Sequence, residues 1–186
     1  MRELALHILD IAQNSVAAKA KNIWLTINED QEGFFLVKLR DDGCGMDEEM
    51  ARRVRDPFVT TRTTRKVGLG LPFMDMVTQL CGGHLDITSK VGQGTEIAAY
   101  FGADNLDRPP LGDLVESIKV LMAGAPWIDL QLDYTAKGGR GFKFTTKEMR
   151  GILGEACDFT NPDVYGWLEG YLRQQLEVLK QGEVFK

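Results

Sequence analysis

The chain has 186 residues, of which 44% are hydrophobic and 26% charged, and its formal net charge is -5. This is the composition of a globular protein, and an acidic balance without a basic block argues against nucleic acid as the main partner. No apolar run approaches the ~18 residues that a membrane helix needs, and the first residues lack the apolar core of a secretion signal, so we expect no membrane insertion and a cytoplasmic location.

Cysteine and histidine are few and scattered. Cys44, Cys81 and Cys157 form no Cys-x-x-Cys pair, and the histidines are His7 and His84. A disulfide framework and a metal cluster of Cys and His are therefore both disfavoured.

Apolar periodicity predicts alternating helices and strands in the first hundred residues. The predicted elements, in chain order, are a helix over 4–20, strands over 22–28 and 34–40, a short helix over 47–54, a loop over 59–67, a helix over 71–80, and strands over 84–89 and 95–101.

The segment 103–110 contains Asp, Asn and two prolines, and it is the best linker in the chain. We therefore place a boundary between a first domain, 1–103, and an extension, 104–186. In the extension the patterns predict a helix over 111–122, strands over 127–134 and 142–146, and helices over 146–153 and 164–179. It carries no motif that we can attach to chemistry. Two alternatives stay open, since it either extends the sheet of the first domain or forms a small separate module.

A carboxylate stands where the second predicted strand ends. Asp41 is followed by Gly43 and Gly45. Glycines let the backbone turn tightly and approach a flat ring, and a carboxylate at such a turn can accept a hydrogen bond from an exocyclic amine such as that of adenine. The alternative is a solvated turn between strand and helix.

The first predicted helix carries two oxygen-bearing side chains on one face. Asp10 and Asn14 lie four residues apart, about one helical turn. A carboxylate and an amide oxygen are ligands that Mg2+ accepts beside phosphate and water. Asp10 is alternatively the group that orients or deprotonates an attacking water or hydroxyl. An ordinary polar stripe on an exposed helix would give the same sequence pattern.

A glycine pair opens the helix over 71–80. Gly68 and Gly70 precede Leu71, and helix N-termini attract anions such as phosphates. The loop before them supplies Arg62, Arg65 and Lys66, whose charges suit a terminal phosphate. The P-loop pattern is absent, as is the dinucleotide fingerprint after the first strand.

A second glycine pair, Gly92 and Gly94, precedes Thr95 at the start of a strand. The Thr95 hydroxyl is a candidate to hold adenine together with Asp41, directly or through a water. On its own this pattern is typical of a hairpin turn.

The ordered set resembles the GHKL superfamily of ATP-binding domains, which includes DNA gyrase, ninety-kilodalton heat-shock chaperones, histidine kinases and mismatch-repair ATPases. Residues 10–14, 41–46, 68–71 and 92–95 look like its N, G1, G2 and G3 boxes. Asp56-Pro57-Phe58 is similar to the phenylalanine-bearing box of histidine kinases, the branch that the sequence resembles most.

The resemblance implies an α+β fold, a two-layer sandwich of the Bergerat type with a mixed, mostly antiparallel sheet and helices on one face. It implies Mg2+ held by Asn14 and Asp10, adenine read by Asp41, and a lid over 57–70. The nucleotide contacts that it implies are Asn14, Asp41, Gly43, Gly45, Met46, Arg62, Lys66, Gly68, Leu69, Gly70, Leu71 and Thr95.

Some residues depart from the family pattern. Asp10 stands where gyrase-like members carry Glu and histidine kinases usually carry Asn, Ala17 replaces an Asp of the gyrase branch, and Lys66 replaces a glycine. We expect no phosphoacceptor segment before the first helix, so a kinase of this kind would need a separate substrate protein. We interpret His7 as structural or at the rim, and His84 as not catalytic.

Two functions follow. The first is an ATPase or protein kinase that binds Mg-ATP and either transfers its terminal phosphoryl group to a partner protein or hydrolyses it, with Asp10 as the base. The second is a nucleotide-gated interaction module with little or no turnover. A degenerate fold that binds no nucleotide is the remaining alternative.

Overall fold

The computed structural model describes the chain over residues 3–55, 70–154 and 157–181. Within these ranges the elements are, in chain order, α1 (Leu4–Ala17), β1 (Asn22–Gln31), β2 (Phe34–Asp41), α2 (Glu48–Arg53), α3 (Gly70–Leu80), β3 (His84–Lys90), β4 (Gly94–Gly102), α4 (Leu114–Gly124), β5 (Asp129–Thr135), β6 (Gly141–Thr145), α5 (Thr146–Leu153) and α6 (Pro162–Gln181).

The described strands form one mixed sheet in the order β3-β4-β2-β1-β5-β6. Neighbouring strands are antiparallel except β1 and β5, which run parallel from the pair Asn22–Asp129 to the pair Asn28–Thr135. A parallel pair cannot be closed by a hairpin, and α4 lies in the connection that brings the chain back beside β1. The predicted α+β class with a mostly antiparallel sheet is confirmed.

Alternating side chains give the sheet one buried face. In β1 the residues Ile23, Leu25 and Ile27 are at most 3% exposed, whereas the residues between them are half-buried. Helix α1 packs against β2, and α3 packs against β3 and β4. One core cluster continues from these elements into β5, α4 and α6, and it joins Leu4, Ile23, Leu130 and Leu168. The helices and the sheet therefore form two layers around a shared core.

Helix α1 is anchored by the segment predicted to be a linker. The Leu4 N–H donates to the Pro110 carbonyl at 3.0 Å, and the Ala5 N–H donates to the Leu111 carbonyl at 2.8 Å. Glu3, at the N-cap, makes no side-chain capping bond. The first N–H groups of a helix have no partner within the helix, so these carbonyls supply what a capping side chain usually does.

The extension adds β5 and β6 to the sheet, so the structure shows the first of the two alternatives left open by the sequence. The boundary after residue 103 stays a prediction. Element ends differ by a few residues. Strand β1 continues to Gln31 through an irregularity between Asn28 and Gln31. Helix α4 begins at Leu114, because Asp113 caps it by accepting from the Glu116 N–H at 2.9 Å.

Among the described residues, no helix combines the length and the apolar character that crossing a bilayer requires.

Candidate functional site

Three neighbouring strands bring polar side chains together at one end of the sheet. Asp41, the last residue of β2, pairs with Thr95 in β4, and Thr95 pairs with Ser89 in β3. Directly opposed residues of antiparallel strands lie side by side, so motifs that are distant in sequence meet in one row. The row includes the candidate adenine-binding residues Asp41 and Thr95.

The Asp41 carboxylate is buried and held by three donors. Its Oδ1 accepts from the Gly43 N–H at 2.8 Å and from the Thr95 N–H at 3.3 Å. Its Oδ2 accepts from the Ser15 hydroxyl of α1 at 2.6 Å. The exposed fraction is 5% for Asp41 and 3% for Ser15. The carboxylate is therefore fixed in orientation from the sheet, the turn and the first helix together.

Two glycines allow the turns beside Asp41 to pass close to one another. Gly94 has φ +89°, and a Cβ at this position would lie 1.9 Å from the Asp41 carbonyl oxygen. Gly45 has φ +66°, and its Cβ would lie 2.0 Å from the Lys90 carbonyl oxygen. Only glycine fits where positive φ and backbone contact coincide. Gly45, a predicted nucleotide contact, thus has a structural task as well.

A hydroxyl pair links these two turns. The Ser89 hydroxyl accepts from the Met46 N–H at 2.8 Å and lies 2.9 Å from the Thr95 hydroxyl. It also lies 3.1 Å from the Gly94 carbonyl oxygen, to which it can donate. Met46, a predicted nucleotide contact, is therefore positioned through Ser89 relative to Thr95 and Asp41.

Helices α1 and α3 meet at Asp10. A Cβ on Gly70, the first residue of α3, would lie 3.0 Å from the Asp10 Cβ and 3.4 Å from its Oδ2. The half-buried Asp10 thus lies against the N-terminus of α3, where unpaired N–H groups attract anions. Leu71, the next residue of α3, is buried. Two predicted site residues, Asp10 and Gly70, are therefore in contact.

Asn14 is exposed and lies one turn after Asp10 on α1. Asp10 and Asn14 together offer two hard oxygen ligands, which fits Mg2+ when phosphate and water complete its coordination. Among the described residues no three side chains of His, Cys, Asp or Glu are grouped so as to hold a metal ion by themselves. These residues therefore fit a cation that arrives with a phosphate ligand, and the predicted metal contacts stay a prediction.

Four predicted contacts, Arg62, Lys66, Gly68 and Leu69, lie outside the described residues, as do the Asp56-Pro57-Phe58 motif and the rest of the predicted lid before Gly70.

Sequence reasoning missed the contribution of Ser15 and Ser89. Ser15 occupies a position of the apolar stripe of α1, a segment for which the sequence predicted a helix and no further role for this residue. A serine among leucine and isoleucine at core spacing needs a hydrogen-bond partner, and that need was the available signal. Ser89 offered no local signal, because its partners lie in other turns.

His7 is fully buried one turn before Asp10. Its ring stacks on Phe73 of α3 at a centroid distance of 4.9 Å, and within the described chain neither ring nitrogen has a hydrogen-bond partner. Burial lowers the pKa of His7 below its usual 6.5, and the charge of Asp10 opposes this shift in part. The ring therefore belongs to the α1–α3 packing, as the structural interpretation of His7 predicted.

We expect the stability of the protein to fall on acidification because of His7. The unfolded chain takes up a proton near pH 6.5 and the folded chain only at lower pH, so the free energy of unfolding drops from about pH 6.5 downward, by at most ~1.4 kcal/mol per pH unit. Urea unfolding at pH 7.5 and 5.5 measures this loss. His7→Phe should reduce it and should be as stable as wild type or more stable at pH 7.5, whereas His84→Gln, at an exposed position, should keep it. An equal loss in the His7→Phe variant would show that this ring is not responsible.

The fold and the site define a class of protein. Residues 1–105 match the family described as histidine kinase-, DNA gyrase B- and HSP90-like ATPase, and because the match covers more than half of the chain, the protein belongs to this family. The predicted superfamily is thereby confirmed.

Particular relatives are sensor proteins and kinases. The chain is 33% identical over 104 residues to the C4-dicarboxylate transport sensor protein DctB of Pseudomonas aeruginosa, covering 54% of this chain and 17% of that one. It is 35% identical over 74 residues to sporulation kinase E of Bacillus subtilis, covering 40% of this chain and 10% of that one. The chain thus matches less than a fifth of the length of these relatives.

The fold extends the likeness beyond residue 105. The Aquifex aeolicus MutL ATPase domain complexed with ADP has a TM-score of 0.51 and 17% identity, and the match covers 77% of this chain and 64% of that one. The N-terminal domain of a DNA repair protein has a TM-score of 0.56 and 14% identity, covering 84% of this chain and 58% of that one. Residues 1–105 are too few to account for these covered fractions of the chain, so part of the extension belongs to the shared fold.

Proposed function

We propose that the protein binds Mg-ATP at the end of the sheet where Asp41, Thr95, α1 and the N-terminus of α3 meet. We propose further that the protein transfers the terminal phosphoryl group of ATP to a partner protein or hydrolyses ATP. The observation that carries the proposal is the buried Asp41 carboxylate, fixed by Ser15, Gly43 and Thr95 at the end of β2. Membership of an ATPase family and the sensor kinases among its relatives support the same function.

Electrostatics support a metal between protein and phosphate. The N-terminus of α3 favours an anion, but Asp10 lies against it and would repel one. A divalent cation would reconcile the two, and Asp10 and Asn14 are the residues that would hold it, because carboxylate and amide oxygens are ligands that Mg2+ accepts. When bound, Mg2+ neutralises charge on the phosphates, and the protein's share is to hold and orient them.

The residues then have distinct roles in the proposed reaction. Asp41 accepts a hydrogen bond from the adenine amino group, and the α3 N–H groups bind phosphate oxygens. Asp10 orients an attacking water or the hydroxyl or imidazole of a partner's acceptor residue, and takes its proton. In such a reaction most of the rate comes from positioning and charge stabilisation.

Calorimetric titration with Mg-ADP and with a non-hydrolysable ATP analogue tests binding. We expect Asp41→Asn to weaken binding about tenfold to a hundredfold, because it removes a charged acceptor. Asp42→Asn is the matched control, since the Asp42 carboxylate instead accepts from the Lys21 and Asn22 N–H groups at 2.7 and 2.8 Å. It should cost stability but leave nucleotide affinity unchanged. No binding by wild type, or equal affinity in Asp41→Asn, would refute the site.

Turnover separates an enzyme from a binding module. We expect Asp10→Ala still to bind the analogue, with less dependence on Mg2+ because one proposed ligand is lost, and to lower ATP turnover by roughly 10²-fold or more, the usual contribution of general-base catalysis. Asn14→Ala should lower the dependence of binding on Mg2+. If wild type binds ATP and turns over none, with or without a partner protein, the nucleotide-gated module is the correct function.

A further inference from the structure

One edge of the sheet has backbone groups that no described strand uses. Strand β3 lies at this edge, and among the described strands it pairs only with β4. The Leu85 carbonyl accepts from the Arg55 guanidinium at 2.7 Å and so points away from β4, whereas the Lys90 carbonyl accepts from the turn before β4 at 2.9 Å. In an antiparallel strand, alternate residues direct their N–H and C=O groups to opposite sides. The groups of Ile87 and Ser89 therefore point outward, as those of Leu85 do.

Helix α2 contacts β3 and leaves a groove of about 780 Å³ along this edge. The residues that line the groove include Met46, Ala51 and Ile87, all of them half-buried. The Ile87 side chain packs against the core, on the inner face of the sheet. A strand added beside β3 would place every second side chain on that same face. The groove therefore suits an extended segment with apolar side chains at alternate positions.

Basic side chains lie at both ends of the exposed edge. Arg55 is bound at the Leu85 end, and Lys90 is the last residue of β3, about 17 Å further along the strand. Both side chains are exposed. The acidic residues of the lining, Asp47 and Glu48, are already engaged with groups of α2, one by capping the helix and the other in an ion pair. The charges that remain for a ligand therefore favour an acidic segment.

We propose that this groove is a docking site for an extended acidic segment of a partner protein, which joins the sheet as a strand beside β3. The outward N–H and C=O groups of Ile87 and Ser89 bond to the backbone of the segment, and its acidic ends meet Arg55 and Lys90. Backbone bonds of this kind supply affinity, while apolar pockets and charges supply selectivity. The proposal goes beyond the proposed catalysis, and none of its contacts involves a nucleotide.

Amide hydrogen exchange followed by NMR tests the backbone contacts in the full chain. The probe is a seven-residue peptide with valines at alternate positions, glutamates at both ends and blocked termini. In the free protein we expect rapid exchange at Ile87 and Ser89 and slow exchange at Thr88, which faces β4. Saturating peptide should slow Ile87 and Ser89 by about tenfold or more and leave Thr88 unchanged. Binding without this protection, or no binding at roughly 1 mM peptide, would overturn the proposal.

Charge reversal tests the preference for an acidic segment. Lys90→Glu should weaken binding of the glutamate peptide by about threefold to tenfold, and it should strengthen binding of the same peptide with lysines at its ends. Lys143→Glu is the matched control, because Lys143 is exposed on β6, at the opposite edge of the described sheet. It should leave both affinities unchanged. Equal effects of the two variants would mean that net charge alone attracts the peptide, which also overturns the proposal.

Proline at position 87 removes an outward N–H group without removing a bond to β4. Ile87→Pro should lower peptide affinity by about tenfold or more, whereas Ile87→Ala, which loses the same apolar side chain but keeps the N–H group, should lower it less than about threefold. Equal affinities in these variants would contradict the proposed strand pairing. Urea unfolding checks that both are folded, and the exchange and Lys90→Glu experiments decide the proposal if Ile87→Pro is not. Protection of Ile87 and Ser89 that rises with protein concentration alone would identify a second copy of the chain as the occupant instead.

Discussion

Replacing Gly94 by alanine is expected to unfold the protein or to lower its free energy of unfolding by more than about 3 kcal/mol. The new Cβ would lie 1.9 Å from the Asp41 carbonyl oxygen and 2.9 Å from the Asp42 Cα, both backbone atoms of the neighbouring strand end. The φ of +89° adds strain that a side chain cannot relieve. The two strands must separate, and the paired row of Asp41 and Thr95 separates with them.

Gly92→Ala is the matched control for this prediction. Gly92 also has positive φ, at +74°, but a Cβ there would have no atom within 4 Å. We expect it to cost only about 1 kcal/mol, the usual penalty for an unfavourable backbone conformation. Urea unfolding of both variants measures the difference. Similar stabilities would mean that contact between the strands is not what requires glycine at position 94.

A chain that ends at residue 103 is expected to lack a cooperative unfolding transition and to lose nucleotide binding. Without the extension, β1 loses its parallel neighbour β5, and α1 loses both its contact with α4 and the carbonyls of Pro110 and Leu111. The apolar surface so exposed belongs to the layer that carries Asp10 and Asn14. Circular dichroism during urea unfolding and calorimetry with Mg-ADP test this. A truncated chain with wild-type affinity would instead establish 1–103 as an independent domain.

Two point variants in β5 test, without truncation, how much the extension stabilises the shared core. Leu130 is 1% exposed and lies beside Ile23 in the register, so Leu130→Ala should cost about 2–5 kcal/mol. Gln131, the next residue, is half-buried on the opposite face, and Gln131→Ala should cost less than about 1 kcal/mol. A small loss in Leu130→Ala would show that β5 contributes little to the shared core.

Local patterns predicted most of the elements, because each has a period or a turn signal of its own. The alternation of Ile23, Leu25 and Ile27 predicted β1, and apolar periodicity predicted a helix over 71–80, which α3 matches to within one residue. The placement of β5 beside β1 was not predictable, since pairing between distant strands depends on how the whole sheet closes. The sequence therefore left open whether the extension joined the sheet.

The candidate site, like the fold, was only partly predictable from the sequence. Asp10, Asp41 and Gly70 were predicted from ordered motifs, and the structure places Gly70 against Asp10 and Asp41 at the end of β2. Their contacts with a nucleotide stay predictions. Ser15 and Ser89 were missed because hydroxyl groups acquire a role only through partners brought near by folding. The sequence thus named groups that a ligand would meet, and missed those that orient them.

The parallel pairing of β1 with β5 has a consequence for synthesis. A ribosome adds roughly 5–20 residues per second, so the first strand emerges several seconds before the strand that completes its second edge. During that interval the first helix and β1 present uncovered apolar surface and an unpaired strand edge to the surrounding solution, and such edges pair readily with other chains. The nascent protein is therefore most vulnerable to aggregation until residues 129–135 have left the exit tunnel.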